Sequence, residues 1–109
     1  MMNLSSQKCV PCEAGGEPMK AEEIELYTKD VPTWKISSDQ KSISKKFTFR
    51  DFKEALAFVN KVGAVAEEQG HHPDITFTYG EATIVFTTHA LKGLSPNDFI
   101  MAAKVDKIV

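Results

Sequence analysis

The stretch Ile75-Thr76-Phe77-Thr78-Tyr79-Gly80-Glu81-Ala82-Thr83-Ile84-Val85-Phe86-Thr87-Thr88 decides the fold. Ile75, Phe77 and Tyr79 alternate with Thr76 and Thr78, the alternation that marks a strand with one buried face. Gly80-Glu81 reads as a Gly-X hairpin turn, and Ala82 to Thr88 resumes the alternation with β-branched residues. A β-hairpin is expected. With Gly80 and Glu81 in the turn, Tyr79 faces Ala82, and continuing outward His72 faces His89.

A long helix precedes the hairpin. Phe52, Ala55, Leu56, Val59, Gly63 and Ala66 recur at helical spacing. Thr48-Phe49-Arg50-Asp51 reads as a Thr-x-x-Asp variant of the capping box at its start, and the helix ends near Gly70. A second set, Phe58, Val62 and Val65, runs down an adjacent face and widens the apolar arc beyond one sheet contact, so it is read as a helix-mediated oligomer contact, with a simply wide core face as the alternative. Further upstream, Trp34-Lys35-Ile36 and Ile43 to Phe47 flank the turn-rich Ser37-Ser38-Asp39-Gln40 and predict a first hairpin. Lys20 to Tyr27, with its acids early, predicts a short first helix. Downstream, Ser95-Pro96-Asn97-Asp98 places an N-cap, a first-turn proline and an N3 acid ahead of Phe99, Ala102 and Ala103, so the chain closes with a helix.

The order is α-β-β-α-β-β-α, an α+β fold with a four-stranded antiparallel sheet and helices packed on one face. Residues 20–109 read as a single domain. Residues 1–19 hold Cys9-Val10-Pro11-Cys12, Gly15, Gly16 and Pro18 without either period, and predict a flexible arm outside the core, dispensable for any chemistry.

Composition narrows the function. The 109 residues are 42% hydrophobic and 26% charged, as in one soluble globular domain. Thirteen basic against fifteen acidic residues leave a formal charge of -2 and no basic field for phosphate backbones, so direct nucleic-acid binding is not expected. No apolar stretch approaches the ~20 residues that cross a bilayer, and no membrane role is expected. The first 20 residues lack an apolar signal region, and two cysteines make no disulfide framework. A cytoplasmic protein is the expectation.

All three histidines, His71, His72 and His89, fall at the open edge of the second hairpin. Imidazole trades protons near neutral pH, with an unperturbed pKa of about 6.5, so three at one edge point to acid–base chemistry. Glu67 lies four residues before His71, within reach across a helical turn, and is read as orienting it. Each residue also has a purely structural reading. Glu67 and His71 can be an ordinary exposed pair at a helix end, and Asp98 caps its helix whatever happens nearby. No metal is expected: Cys9 and Cys12 are half of a four-thiolate zinc site, and adjacent His71 and His72 diverge in an extended chain.

The spacing Glu67-x3-His71-His72-Pro73-x5-Tyr79-x9-His89-x8-Asp98 resembles the pterin-4a-carbinolamine dehydratases, also called dimerisation cofactors of a homeodomain transcription factor. Phe47-Thr48-Phe49-Arg50-Asp51-Phe52 looks like that family's entry into its central helix. The resemblance implies that His71, His72 and His89 are active-site histidines, that Glu67 orients His71, that Pro73 shapes the turn and that Asp98 supports the pocket. Thr88 and the backbone through Ala90 and Leu91 would line a pterin site. The implied activity is that of a hydro-lyase, 4a-hydroxytetrahydrobiopterin dehydratase, converting a 4a-hydroxytetrahydropterin to a quinonoid dihydropterin that a reductase recycles for an aromatic amino acid hydroxylase. No cofactor is implied, and the assembly would be a homodimer or homotetramer. The rival reading is a non-catalytic interaction module that stabilises a transcription factor dimer through a helical surface.

Overall fold

Capping and turn chemistry decide where each element begins. The structure, a computed structural model, describes residues 3–10 and 17–108. Helix α1 spans Ala21–Thr28, strands β1 and β2 Lys35–Ile36 and Ile43–Thr48, and helix α2 Phe52–Gln69. Strands β3 and β4 follow at Asp74–Thr78 and Glu81–Phe86, and helix α3 runs Pro96–Asp106. The sheet order is β1-β2-β4-β3 with every neighbouring pair antiparallel, so the α+β class and the element order read from the sequence are those of the structure. Strand β1 turns into β2 around a side-chain knot. Ser37 Oγ donates to Asp39 Oδ1 at 2.6 Å and Lys41 N–H donates to the same oxygen at 3.0 Å. The Ser37 hydroxyl, with the Lys41 amide behind it, holds the Asp39 carboxyl below its ordinary value.

Ile43, Phe47, Ala82, Ile84 and Phe86 share the inner face of the sheet and are buried, whereas Lys46, Thr48 and Glu81 on the outer face are exposed. The core continues into Ala55, Phe58, Val62 and Ala66 of α2 and Phe99, Met101, Ala102 and Val105 of α3. A network joins the C-terminal end of α3 to the sheet. Trp34 Nε1 donates to the Asp106 carboxylate at 3.1 and 3.2 Å, and Lys45 Nζ reaches Asp106 Oδ1 at 2.9 Å. The indole also lies against Phe47 and Phe86, with ring centroids 6.1 and 5.8 Å away.

Four expectations need correction. The hairpin turn is Tyr79-Gly80, so Thr78 faces Glu81 and Asp74 faces Val85, and His72 lies before β3 rather than opposite His89. A Gly-X turn needs its glycine at positive φ, and Gly80 does not adopt it. Glycine is there for close approach: Phe49 N–H donates to the Gly80 carbonyl at 2.8 Å, and a Cβ on Gly80 would stand 3.2 Å from the Phe49 carbonyl oxygen. The slip is by an even number of positions, so every side chain keeps its face.

The cap of α2 is Asp51, whose side chain accepts from Glu54 N–H at 2.9 Å, while Thr48 stays in β2. On α2 the core takes members of both stripes: Ala55 and Ala66 of the first are buried, Val59 packs against the core, and the second stripe is core rather than an oligomer contact. Phe58 and Val62 are core, Val65 packs against it, and Phe52 and Leu56 are the exposed pair, with Phe52 stacked on Phe77. Periodicity finds the wide apolar arc but cannot say which edge of it the core leaves uncovered. Finally, residues 3–10 are not peripheral to the core. Leu4, in a 3-10 turn over Leu4–Ser6, is buried in it, and Lys104 Nζ of α3 donates to the Ser5 carbonyl at 3.0 Å.

Because Val62 is fully buried, Val62→Glu places an uncompensated carboxylate in the core. The cost is several kcal/mol against a total stability of about 5–15 kcal/mol. Circular dichroism should show Val62→Glu largely unfolded and Leu56→Glu folded with near-normal melting; a folded Val62→Glu would mean that this stripe is not the core.

Candidate active site

The site begins with the way α2 stops. Gly70 takes the left-handed conformation (φ 67°), and both its own N–H and that of His71, the latter at 3.2 Å, donate to the Ala66 carbonyl. Ending a helix this way is a glycine habit, because no Cβ opposes positive φ. The chain leaves the helix sharply, and its next two side chains part. His71 turns inward, its side chain 12% exposed, its ring stacked on Phe86 at 6.2 Å and its Nε2 2.6 Å from Asp98 Oδ1. His72 stays at the surface, with Nε2 2.5 Å from Glu67 Oε1. Glu67 thus partners His72, not His71 as the i,i+4 spacing predicts, because the left-handed turn carries His71 away from the helix surface.

Asp98 sits in the first turn of α3 and is wholly buried. Its Oδ2 accepts from Thr88 Oγ1 at 2.8 Å and from Ser95 N–H at 3.0 Å. Thr88 has a single hydroxyl proton and gives it to Asp98, so the 2.7 Å contact between Thr88 Oγ1 and Ser95 Oγ requires Ser95 to donate. With Asp98 as a carboxylate the third donor is His71 Nε2–H. The proton of neutral His71 therefore resides on Nε2, and Nδ1 is the nitrogen left for exchange.

Thr88 and His89 are held by a tight return of the chain after β4. Thr88 N–H donates to the Gly93 carbonyl at 2.9 Å, His89–Leu91 form one 3-10 turn, and Lys92 at φ 55° brings the backbone round. Gly93 leaves room for Pro18, whose Cβ lies 2.6 Å from where a Gly93 side chain would begin.

These elements enclose a cavity of about 490 Å³ lined by His71, His72, Thr88, His89 and Ala90. Glu67 and Asp98 are not on its wall but contact His72 and His71, which are. Pro73 and Leu91, expected in the site, do not line the cavity either. Sequence reasoning missed Cys9, Val10, Gln69, Gly70, Thr87 and Asn97, which do. For Thr87 the signal was its place beside Thr88; Cys9 and Val10 offered none, having no period. Cys12, the other half of the Cys-x-x-Cys, lies outside the described residues. Among the described residues no three His, Cys, Asp or Glu side chains gather as a metal-ligand set.

The fold and this pocket define a class: a small α+β domain with an imidazole-lined cavity of small-molecule size. The chain belongs to the pterin 4 alpha carbinolamine dehydratase family, whose pattern matches residues 17–108. It is 47% identical over 108 residues to a protein of Rubrobacter xylanophilus, covering 99% of this chain and 100% of that one. It is 46% identical over 107 residues to one of Halorhodospira halophila, covering 98% of each. Both relatives carry the name pterin-4-alpha-carbinolamine dehydratase provisionally. Among solved structures, a transcriptional coactivator/pterin dehydratase from Brucella melitensis superposes with a TM-score of 0.79 at 25% identity, covering 84% of this chain and 98% of that one. A pterin dehydratase-like RuBisCO assembly factor of the alpha-carboxysome gives 0.61 at 26% identity, covering 70% and 88%. At the level of the family, the protein is a dehydratase-type lyase associated with pterins.

The tautomer assigned to His71 is directly testable. Nitrogen-detected NMR of labelled histidine should find the proton of neutral His71 on Nε2. In Asp98→Asn an amide N–H turned toward His71 would move that proton to Nδ1. An Nδ1-protonated ring in the wild type would contradict the network.

Proposed function

We propose that this chain removes water from a 4a-hydroxytetrahydropterin to give the quinonoid dihydropterin, with histidines as general acid and base. The observation that carries the reading is that His71, His72 and His89 all face one cavity, with His71 fixed from behind by a buried carboxylate. Family membership supplies the substrate class.

Dehydration breaks the C4a–O bond. One proton must reach the departing oxygen so that it leaves as water, while the adjacent ring nitrogen loses its own proton and its electron pair forms the new C=N bond. One donor and one acceptor balance the step, and no electrons are gained or lost. His71 and His89 are the proton-transfer pair in this reading. Asp98 holds His71 in the tautomer that leaves Nδ1 to work and stabilises the ring when it is cationic. His72, tethered to Glu67, binds and polarises the pterin. Thr88 spends its proton on Asp98, so toward a substrate it can only accept. Ala90 offers the ring an apolar contact. General acid–base help of this kind is typically worth about 10²- to 10⁴-fold per group. The biological setting we infer is tetrahydropterin recycling for an aromatic amino acid hydroxylase in the cytoplasm. We read the catalytic domain as residues 20–109 together with the docked residues 3–10, without direct nucleic-acid contact.

A specific observation also favours assembly. Phe52 and Leu56 on α2 are 46% and 39% exposed, an apolar pair of the kind that isolated domains avoid. We assign that face to a homodimer or homotetramer contact, which is also where the rival interaction-module reading would act.

His71→Ala and His89→Ala should each lower kcat at least about tenfold in a stopped-flow assay on synthetic carbinolamine, with unchanged circular dichroism. Near-normal turnover by both would move the protein to the interaction class. Turnover should survive exhaustive chelation, because the proposed transfers use imidazoles alone; loss of activity restored by zinc would end that mechanism. In sedimentation, Leu56→Glu should run smaller than the wild type. A wild-type monomer across micromolar concentrations would remove the assembly proposal.

A further inference from the structure

We propose that the segment Cys9–Val10, anchored by Asn97, is a wall of the pocket that governs how tightly a pterin is held; this rests on the dehydratase reading above. The sequence predicts a dispensable arm here. In the structure the segment is bound as one strand residue is bound by another. Val10 N–H donates to Asn97 Oδ1 at 3.0 Å, and Asn97 Nδ2 donates to the Val10 carbonyl at 2.6 Å. Beside it, Cys9 N–H donates to Gln69 Oε1 at 2.9 Å, and the Cys9 thiol lies 3.8 Å from the Asn97 carbonyl.

The two anchors are placed next to the catalytic framework. Gln69 is the last residue of α2, two before His71, and Asn97 is the residue before Asp98. The strap is therefore pinned to the same two helix ends that hold the His71–Asp98 pair. Asn97 is buried, so its amide is a fixed clamp rather than a surface contact. Val10, by contrast, is 65% exposed while its main chain is held at the cavity. Holding an apolar side chain in water brings nothing to the free protein. Its position has a use once an apolar surface enters the cavity and covers it. Three imidazoles, two hydroxyls, two amides, Gly70 and the Cys9 thiol make up the rest of the wall, so Val10 and Ala90 carry its two aliphatic side chains, against which a ring system can lie.

A plain structural staple would hold the N-terminus equally well, so the test must read ligand binding and not stability. In the full chain, iodoacetamide labelling mapped to Cys9 by mass spectrometry is followed with and without saturating 7,8-dihydrobiopterin, whose binding is measured separately by fluorescence titration. Bound pterin should slow Cys9 labelling at least about fivefold by closing access to the thiol. Asn97→Ala, which releases both bonds to Val10, should raise KM for the carbinolamine roughly five- to tenfold while kcat changes less than about twofold. Val10→Gly should raise KM in the same direction with the main-chain bonds kept, and it serves if Asn97→Ala fails to fold. Unchanged Cys9 labelling with pterin bound, or unchanged KM in the folded variants, overturns the strap. A wild-type chain that binds the pterin and protects Cys9 yet does not dehydrate overturns the dehydratase reading instead, and leaves the strap standing.

Discussion

The buried carboxylate of Asp98 is the constraint on which the rest of the site depends. A carboxylate removed from water must be met by donors or it costs several kcal/mol. Three donors come, from three separate parts of the chain: Thr88 beyond β4, Ser95 at the cap of α3, and His71 beyond α2. None can be withdrawn without leaving a buried charge short of a partner, so the sheet, both helix ends and the histidine are fixed relative to one another by one side chain. The cap of α3 and the orientation of a cavity-lining imidazole are the same interaction seen from two sides. This is why a Ser-x-x-Asp start, ordinary in any helix, matters here.

Much of this was legible in the sequence, for identifiable reasons. Alternation in Ile43–Phe47 and Ala82–Phe86 gave the strands, and Ser95-Pro96 gave the start of α3, because these signals are local. What failed were choices between neighbours that only tertiary packing makes. Whether Phe58 or Phe52 faces the sheet depends on how α2 rolls onto it. Whether Glu67 meets His71 or His72 depends on one left-handed residue, Gly70. The turn at Tyr79-Gly80 comes with a contact between Gly80 and Phe49, thirty-one residues earlier in the chain and invisible to hairpin rules. Cys9 and Val10 escaped altogether, since main-chain bonds to Gln69 and Asn97 leave no pattern in side-chain polarity.

The similar solved structures carry two kinds of description, a coactivator/pterin dehydratase and an assembly factor. The geometry of α2 gives such divergence a physical basis. Its 18 residues span roughly 27 Å, with exposed Phe52 at one end and the Gly70 turn into the histidines at the other. Changes at the first turn need not reach the cavity, and changes in the cavity need not reach the first turn. A surface and a pocket so arranged can be altered one at a time.

The position of Trp34 gives the domain an optical reporter of its own. It is the only tryptophan, buried, with its indole N–H on Asp106 and its ring against Phe86. Phe86 is also stacked with the ring of His71. Emission from a single indole therefore senses the seam between β4 and α3 without any label. Its wavelength reads whether that seam is dry, and its intensity stands one ring removed from the imidazole at the cavity.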